Sequence, residues 1–500
     1  QCMGEVYSPY AKARPRMDEF AAALKVPNQG GVEKPDAESN QALLQMFDMH
    51  FPELSIYRDG QIQTSPGTEE IKGSPTEYYR TVGAMIALLA AYIYMRGDEQ
   101  LGLEICTGGN RGPMSKDKVP GKFINMGNKP EAYRKFCQEF DSGLKGEEDW
   151  WAMMVFLAIH DVGKSNAFRM RVNQTLKPMQ RTDDHDRVLA NALRDPELLE
   201  ELLPSVCRLG PERIQRIADG FATNFQLPQL GQGEIPVISL AGLIDLPKAR
   251  VMDGTLRTYL YHSIFDIAGA ACNEKFIWPL AILPVYSGFQ SSMLDLVDRL
   301  SDSGKPDSRS LYFDFLNCNF KKAYPDFEEN TFKGLCDCRL FRDETGLVML
   351  RILALTRNTY KNTGALLSHL SLSFTTLVNE MAGNVRGPQV MLYYGPDMLR
   401  MGLGTDLEDE SGDNMRQALG AMDDLYGMVR ERIKNQSGDY SFELNVNPIV
   451  LKIKEAGDKW KGGAELRKTC AGFDFTSNAF LTQGIVRSRD ALMRESCCYT

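Results

Sequence analysis

The residues best suited to chemistry form one short stretch, His160-Asp161-Val162-Gly163-Lys164. It follows a nearly unbroken apolar run, Glu147 to Ile159, whose acidic start and apolar body predict a helix buried on most sides. Adjacent side chains on a helix point about 100° apart, so His160 and Asp161 can converge only where the helix ends, and Gly163 indicates that end. A histidine and a carboxylate that are desolvated there need a partner, and a divalent cation would satisfy both. The alternative is a buried ion pair or a helix cap.

Several acids and histidines further along the chain could complete such a site. His185 opens a predicted helix, where it is either a rigidly supported ligand or a solvated residue in an acidic N-cap cluster. Asp245 ends an otherwise apolar run and is the first choice for a later carboxylate, with Asp253 second. His262 and Asp266 share one helix face at spacing i, i+4, although a core histidine bonded to a backbone carbonyl is the other interpretation of His262.

Basic residues directly follow the His-Asp pair. Lys164, Arg169 and Arg171 carry ammonium and guanidinium groups, which neutralise the negative charge of phosphoryl oxygens. They predict a phosphate-binding loop, for which an ordinary solvated loop is the alternative. Lys164 and Arg169 are therefore the candidate catalytic cations.

The elements that position these residues divide the chain into three parts. Residues 1–75 mix Pro, Gly and charge and predict an N-terminal arm or cap. A capped apolar helix begins at Ser74 and helical patterns continue, so residues 76–300 are predicted to form one all-helical domain. Residues 309–500 add short strands, such as Gln389 to Tyr394, and predict an α+β region of unknown role. The predicted fold class is mainly α.

Composition argues against several classes of protein. The 500 residues include 57 Lys and Arg against 66 Asp and Glu, and the net charge of -9 argues against a broad nucleic-acid or anionic-membrane surface. The longest apolar run, Ala84 to Met95, is shorter than the roughly 20 residues that span a bilayer, and no signal-peptide pattern is found. The 11 scattered cysteines do not indicate a disulfide framework, so we expect the cytoplasm or another reducing compartment. Cys497 stands where prenylated cysteines stand, but the residues after it fit that motif poorly.

The stretch from His160 to Lys164 resembles the signature of the HD-domain superfamily, metal-dependent phosphohydrolases and phosphodiesterases named for an adjacent His-Asp pair. The resemblance covers residues 76–300 and implies an all-helical, HD-like bundle. It implies that His160 and Asp161 are metal ligands and that His185 stands where many members place a further His. It also implies an Asp ligand on a later helix, for which Asp245 is the first choice.

One part of the family pattern is not found. The family has an upstream His, but the predicted helix over residues 78–95 contains none. His50 is the only upstream His, and it lies in the predicted N-terminal arm, whose composition differs from that of the helical domain. Completion of a metal shell would therefore require His50, Glu77 or His262.

The resemblance implies metal-assisted hydrolysis. A divalent ion (Mn, Mg, Co, Ni or Zn) would lower the pKa of a bound water, and the hydroxide would attack a nucleotide or another small phosphate ester. Lys164 or Arg169 would stabilise the charge on the phosphoryl oxygens.

Two alternatives to this hydrolase function remain open. One is an HD-type di-iron oxygenase, which needs His185 and His262 as iron ligands. The other is a catalytically degenerate scaffold or regulatory protein that binds a protein partner through its C-terminal region.

Overall fold

A computed structural model of the protein describes residues 16–24, 37–59, 61–62, 71–72, 75–107, 130–178, 181–182, 184–223, 227–244, 254–270, 272–275, 277, 279, 300, 307–323, 344–356, 374–403, 413–437, 441–472 and 481–484. Helices make up most of these residues, and the larger of the two sheets has three strands. The prediction of a mainly α protein with a minor β region is therefore confirmed. No helix within the described ranges is long and apolar enough to cross a membrane.

The helices are, in chain order, α1 (Met17–Ala23), α2 (Gln41–His50), α3 (Leu54–Asp59), α4 (Pro75–Met95), α5 (Glu99–Thr107), α6 (Pro130–Ser142), α7 (Glu147–Ile159), α8 (Asn166–Thr175), α9 (His185–Ala192), α10 (Pro196–Leu202), α11 (Pro211–Ala222), α12 (Leu227–Gly231), α13 (Ala241–Ile244), α14 (Thr255–Gly269), α15 (Ser308–Ala323), α16 (Glu344–Thr356), α17 (Thr375–Ala382), α18 (Gly395–Gly402), α19 (Asp413–Ile433), α20 (Asn447–Ala456) and α21 (Gly463–Ala471). Short 3-10 helices are Val162–Lys164, Val206–Arg208, Val237–Leu240 and Gly457–Lys459. The strands are β1 (Gln61–Ile62), β2 (Ile71–Lys72), β3 (Gln389–Tyr393), β4 (Ser441–Asn445) and β5 (Leu481–Gly484).

The chain packs into two compact units. Unit 1 comprises Gln1–Thr223 and Lys248–Ser291, and unit 2 comprises Asn224–Pro247 and Ser292–Thr500. Unit 1 differs from the predicted helical domain in two respects. The described helices of the predicted N-terminal arm, α1 to α3, belong to it, and the segment Asn224–Pro247 from the middle of the predicted domain belongs to unit 2 instead.

Aromatic packing explains why the arm belongs to unit 1. The ring of Phe20 in α1 lies against Phe47, Phe51 and Trp151, with centroid distances of 5.4, 6.0 and 6.2 Å. All four side chains are buried. Because aromatic rings contribute much of the apolar area that a core can bury, the arm is stabilised as part of this core.

A buried arginine explains why the middle segment belongs to unit 2. Arg351 in α16 donates hydrogen bonds to the carbonyl oxygens of Gly233 and Glu234, at 3.0 and 3.2 Å, and of Met381, at 2.6 Å. Its guanidinium also lies over the ring of Tyr312, 5.2 Å from the centroid. A buried guanidinium needs acceptors for its donors, and two of them come from the segment after α12.

The three-stranded sheet lies in unit 2. Strand β3 pairs in parallel with β4, in the register Gln389 to Ser441, and β4 pairs antiparallel with β5. The strand predicted over Gln389 to Tyr394 corresponds to β3.

Helices α4 and α14 approach closely in unit 1, and this contact positions the site described below. Every residue from Thr81 to Tyr94 in α4 is buried. Gly269 in α14 lies against the first turns of α4, where a Cβ atom would be only 2.3 Å from the carbonyl oxygen of Arg80. Glycine at this position therefore allows the charged start of α4 to lie beside α14.

A buried carboxyl group ties the start of α3 to the segment after α10. Glu53 Oε1 accepts hydrogen bonds from the Ser205 amide, at 2.7 Å, and from the Ser205 hydroxyl, at 2.8 Å. Its Oε2 has no hydrogen-bond partner among the residues that the structure describes. Burial raises the pKa of Glu53 from 4.5 to about 6, although hydrogen bonds and Arg208 oppose the shift.

We expect Glu53 to make the stability of unit 1 pH-dependent. The folded protein holds the Glu53 proton more tightly than the unfolded chain, so this contribution is fully present below pH 4.5 and is lost as the pH rises through about 6. Relative to Glu53→Gln, the wild-type free energy of unfolding should fall by about 2 kcal/mol across this interval. Urea unfolding at a series of pH values measures the difference. Glu212→Gln, which changes an exposed side chain, should have the same pH dependence of unfolding free energy as wild type. If wild type and Glu53→Gln showed the same pH dependence, Glu53 would not be its source.

Candidate functional site

The His-Asp pair lies at the end of α7. The helix runs from Glu147 to Ile159, and every residue from Met153 to Ile159 is buried. His160 keeps helical backbone angles, whereas Asp161, with φ -106° and ψ 2°, leaves the helix before the 3-10 turn. The two adjacent side chains consequently converge, with 3.4 Å between His160 Nε2 and Asp161 Oδ2.

Gly163 is required for a reason other than the predicted one. The α-helix ends four residues earlier, and Gly163 lies inside the 3-10 helix rather than in a left-handed helix cap. A Cβ atom on Gly163 would lie 2.2 Å from the carbonyl oxygen of His185. The glycine thus allows the first turn of α9 to approach the His-Asp pair.

Tyr57 of α3 fixes the backbone at this turn. Its hydroxyl donates to the carbonyl oxygen of Ala158 and accepts from the amide of Asp161, both at 3.1 Å. The side chain is fully buried, and burial together with Asp161 raises the pKa of its phenol well above the usual value. The hydroxyl therefore satisfies two backbone groups that the end of an α-helix leaves without intrahelical partners.

His160 is buried between two carboxylates. Its Nδ1 donates to the carbonyl oxygen of Leu157 at 2.6 Å, and its Nε2 lies 3.1 Å from Asp266 Oδ1 in α14. Burial alone would lower the pKa of His160, but Asp161 and Asp266 raise it to about 9. The imidazolium in turn lowers the pKa of Asp266 to about 2, against the effect of burial. At neutral pH the pair is therefore an imidazolium with a carboxylate.

Lys164 places an ammonium group beside two other buried carboxylates. Its Nζ lies 2.6 Å from Asp161 Oδ2 and 3.7 Å from Glu77 Oε2. Burial raises the pKa of Asp161, but Lys164 and His160 outweigh it and hold that pKa well below the usual range. Glu77 also pairs with Arg80, one turn later in α4, at 2.8 Å.

The first turn of α9 adds a carboxyl group to this site. Asp184 caps the helix by accepting the Arg187 amide at 3.0 Å. His185 Nε2 lies 3.3 Å from Asp186 Oδ1. Burial raises the pKa of Asp186 to about 6, an effect that His185 and Lys164 reduce and that Asp184 and Asp161 reinforce. Asp186 is therefore a carboxyl group that titrates close to neutral pH.

These ionisable side chains of unit 1 are called the His160 cluster from here on. Its members are Glu77, Arg80, His160, Asp161, Lys164, His185, Asp186 and Asp266. His262 lies beside the cluster, with its ring centroid 5.3 Å from that of His160, and stacks on Phe156 at 4.0 Å. Neither ring nitrogen of His262 has a hydrogen-bond partner in the described part of the chain. Burial and the charge of His160 lower its pKa to about 3, so the ring is neutral.

The structure separates the predicted site residues into three groups. His160, Asp161, Lys164, His185 and Asp266 come together, with His262 alongside. His50 packs edge-on against Phe20, and Arg169 donates to the carbonyl oxygen of Lys164 at 3.2 Å. Asp245 and Asp253 lie outside the described residues.

The described side chains, as arranged, do not fit a metal ion. Within the described ranges, no group of three or more His, Cys, Asp and Glu side chains could hold one. A protonated His160 has no lone pair to offer, and the Lys164 ammonium already binds Asp161. The di-iron alternative, which needs His185 and His262 as ligands, gains no support from this arrangement either.

Sequence reasoning missed Tyr57, Arg80 and Asp186. Tyr57 lies about a hundred residues from the pair that it supports, and nothing in its surroundings marks it. A signal did exist for Arg80, because Glu77 and Arg80 are oppositely charged at spacing i, i+3 near the start of an otherwise apolar helix. Asp186 follows His185 directly, and its burial depends on the approach of α9 to Gly163.

Fold and site together define a mainly helical protein with a buried His, Asp and Lys cluster at the end of an apolar helix. The chain belongs to the family described as "Family of unknown function (DUF6829)", whose model matches residues 125–454. This range includes the cluster members from His160 to Asp266, whereas Glu77 and Arg80 precede it. No curated protein and no solved structure matches the chain.

We expect Tyr57→Phe to destabilise the turn that carries the His-Asp pair. The change leaves the Asp161 amide and the Ala158 carbonyl without the hydroxyl, and a buried unsatisfied group costs about 1–3 kcal/mol. Urea unfolding gives the loss, and amide hydrogen exchange should show faster exchange at Asp161. Tyr79→Phe removes a hydroxyl from a less buried ring of the same unit and serves as the control. Equal stability of the two variants would contradict this role for Tyr57.

Proposed function

We propose that the His160 cluster is the active site of a hydrolase that acts on a nucleotide or another small phosphorylated molecule, in a divergent HD-like domain. The contact between His160 and Asp266, 3.1 Å between Nε2 and Oδ1, carries this proposal. The HD-domain resemblance implies an Asp from a later helix beside the His-Asp pair, and Asp266 in α14 fits that expectation, whereas Asp245, the first choice from sequence, lies outside the described residues.

Two cations in the cluster support a phosphorylated substrate. The Lys164 ammonium has three N–H donors, and Asp161 at 2.6 Å engages one of them. Glu77 is 3.7 Å away, beyond hydrogen-bond distance, so donors of Lys164 are left for a phosphoryl oxygen. Arg80 adds a second positive charge, and cations fixed at a phosphoryl group stabilise the charge that develops during its transfer.

Two further groups have the protonation states that hydrolysis requires. Asp186, with a pKa of about 6, is largely ionised at neutral pH and is suited to accept a proton from an attacking water. The His160 imidazolium, with a pKa of about 9, holds its protons at neutral pH, and its Nε2 proton would reach the departing oxygen once a bound substrate displaces Asp266. Clusters of strongly shifted pKa values occur preferentially at functional sites, which favours a catalytic role.

None of these roles requires a metal ion. The divalent ion that the resemblance implies would need the His160 proton to leave and the Lys164 ammonium to move away from Asp161. The assay described below therefore measures whether Mn, Mg, Co, Ni or Zn increases the rate of hydrolysis.

A non-catalytic function is the second candidate, and the contact of Lys164 with Asp161 favours it. An ammonium that neutralises the buried carboxylate gives the domain a stable charge balance with no ion present. In that case unit 1 would bind a phosphorylated ligand without cleaving it, and unit 2 would bind a protein partner.

We expect the protein to release phosphate or a phosphomonoester from at least one member of a panel of nucleoside phosphates, cyclic nucleotides and nitrophenyl phosphates. His160→Ala, Asp161→Ala and Asp266→Asn should each lower kcat by about 100-fold or more, because each removes His160 itself or a carboxylate that positions His160 or Lys164. Chromatographic product analysis, with chelator and with each divalent ion, measures the rates.

His50→Ala is the matched control, since it removes a histidine that packs against Phe20 in the same unit and should retain the wild-type rate. Hydrolysis that survives in all three cluster variants would point to a contaminating enzyme. Binding of a nucleotide without turnover in any condition would overturn the hydrolase proposal and favour the non-catalytic function.

A further inference from the structure

The position of Lys164 relative to two buried carboxylates has a consequence for ion binding. Asp161 and Glu77 belong to different elements, the turn after α7 and the first turn of α4, and their side chains are 10% and 3% exposed. Two carboxylates that are this deeply buried and lie beside one ammonium repel each other unless a cation compensates them. Among the residues of unit 1 that the structure describes, the nearest positive charge to Asp161 is the Lys164 Nζ, at 2.6 Å.

The backbone holds Lys164 in this place. The Lys164 amide donates to the carbonyl oxygen of Asp161 at 2.9 Å, which closes the 3-10 turn, and Arg169 donates to the Lys164 carbonyl at 3.2 Å. The Lys164 side chain is 18% exposed. A surface lysine would gain little from a fixed ion pair, but one that is anchored and mostly buried loses little further freedom when its ammonium binds a carboxylate.

We propose that Lys164 is a built-in cation: its ammonium occupies the place of a divalent ion between Asp161 and Glu77, so that the wild-type site needs no such ion. His160 and Asp266 compensate each other separately, at 3.1 Å. Removal of the Lys164 ammonium would leave His160 as the remaining positive charge beside Asp161 and Arg80 as the one beside Glu77, so the two carboxylates together would lose one compensating charge. Carboxylate oxygens are ligands of divalent ions such as Mn and Zn, so the variant, unlike wild type, should bind a divalent cation between Asp161 and Glu77.

The experiment compares wild type with Lys164→Met, whose side chain has similar length and no charge. In chelator, Lys164→Met should have a lower Tm than wild type. Addition of MnCl2 or ZnCl2 should raise the Tm of Lys164→Met by about 5 °C or more when the ion is at 100 times its Kd, and should not change that of wild type. Calorimetric titration should give one ion per chain for the variant.

Three controls separate this effect from non-specific binding. Lys177→Met removes an exposed lysine of the same unit and should behave as wild type. Lys164→Arg keeps the cation and should also show no ion-dependent shift. Glu77→Gln combined with Lys164→Met removes one carboxylate and should reduce the ion-dependent shift at least by half.

An equal ion-dependent shift and one bound ion per chain in wild type would overturn the proposal, because Lys164 would then not replace the ion. A folded Lys164→Met protein without any ion-dependent shift would also overturn it. Should Lys164→Met not fold in chelator, refolding with and without MnCl2 and the milder Lys164→Gln variant provide the same comparison. These measurements do not depend on turnover, so loss of the hydrolase proposal would leave this one standing.

Discussion

The carboxylate of Asp161 is the group on which the site depends, because it is buried at the end of an apolar helix. An isolated carboxylate in such a place would cost several kcal/mol and would take up a proton instead. Here Lys164 and His160 compensate its charge, and Tyr57 binds its backbone amide. The compensation extends outwards, since His160 then requires Asp266 and Lys164 lies beside Glu77. One desolvated group thus links α3, α4, α7 and α14.

The sequence predicts helix α7 and the His-Asp pair at its end, but not the partners that other helices bring to the pair. Helix α7 and the pair at its end are local features, visible in an apolar run with acids at its start, and the structure has the helix at Glu147–Ile159. The contact between His160 and Asp266 is not local, because it depends on the packing of α14, whereas Asp245 lies outside the described residues. Tyr57 could not be found at all, since a buried tyrosine has no sequence pattern that distinguishes a structural hydroxyl from an ordinary core ring.

The nature of the cation is a separate question that residue types cannot answer. His, Asp and Glu are common ligands of divalent ions, and the carboxylates are also common partners of Lys and Arg. A motif of these residues therefore predicts a positive charge nearby but does not tell whether a metal ion or a side chain supplies it. The deciding quantities are a protonation state and a distance of a few ångströms. His160 has a pKa of about 9, and Lys164 is 2.6 Å from Asp161. Both depend on burial and on partners from other helices.

The path of the chain also constrains how the protein can be made. Unit 1 is interrupted after Thr223 and resumes at Lys248, so α14, which carries Asp266, is synthesised only after a segment of unit 2 has already emerged. The carbonyl oxygens of Gly233 and Glu234 in that segment can accept hydrogen bonds from Arg351 only after that residue, 118 positions after Gly233, has been synthesised. The two units therefore cannot emerge from the ribosome and fold strictly one after the other, as domains arranged in tandem do. All residues of unit 1 have been synthesised by Ser291, and a nascent chain stopped near residue 300 would lack the donors that Arg351 supplies to Gly233 and Glu234.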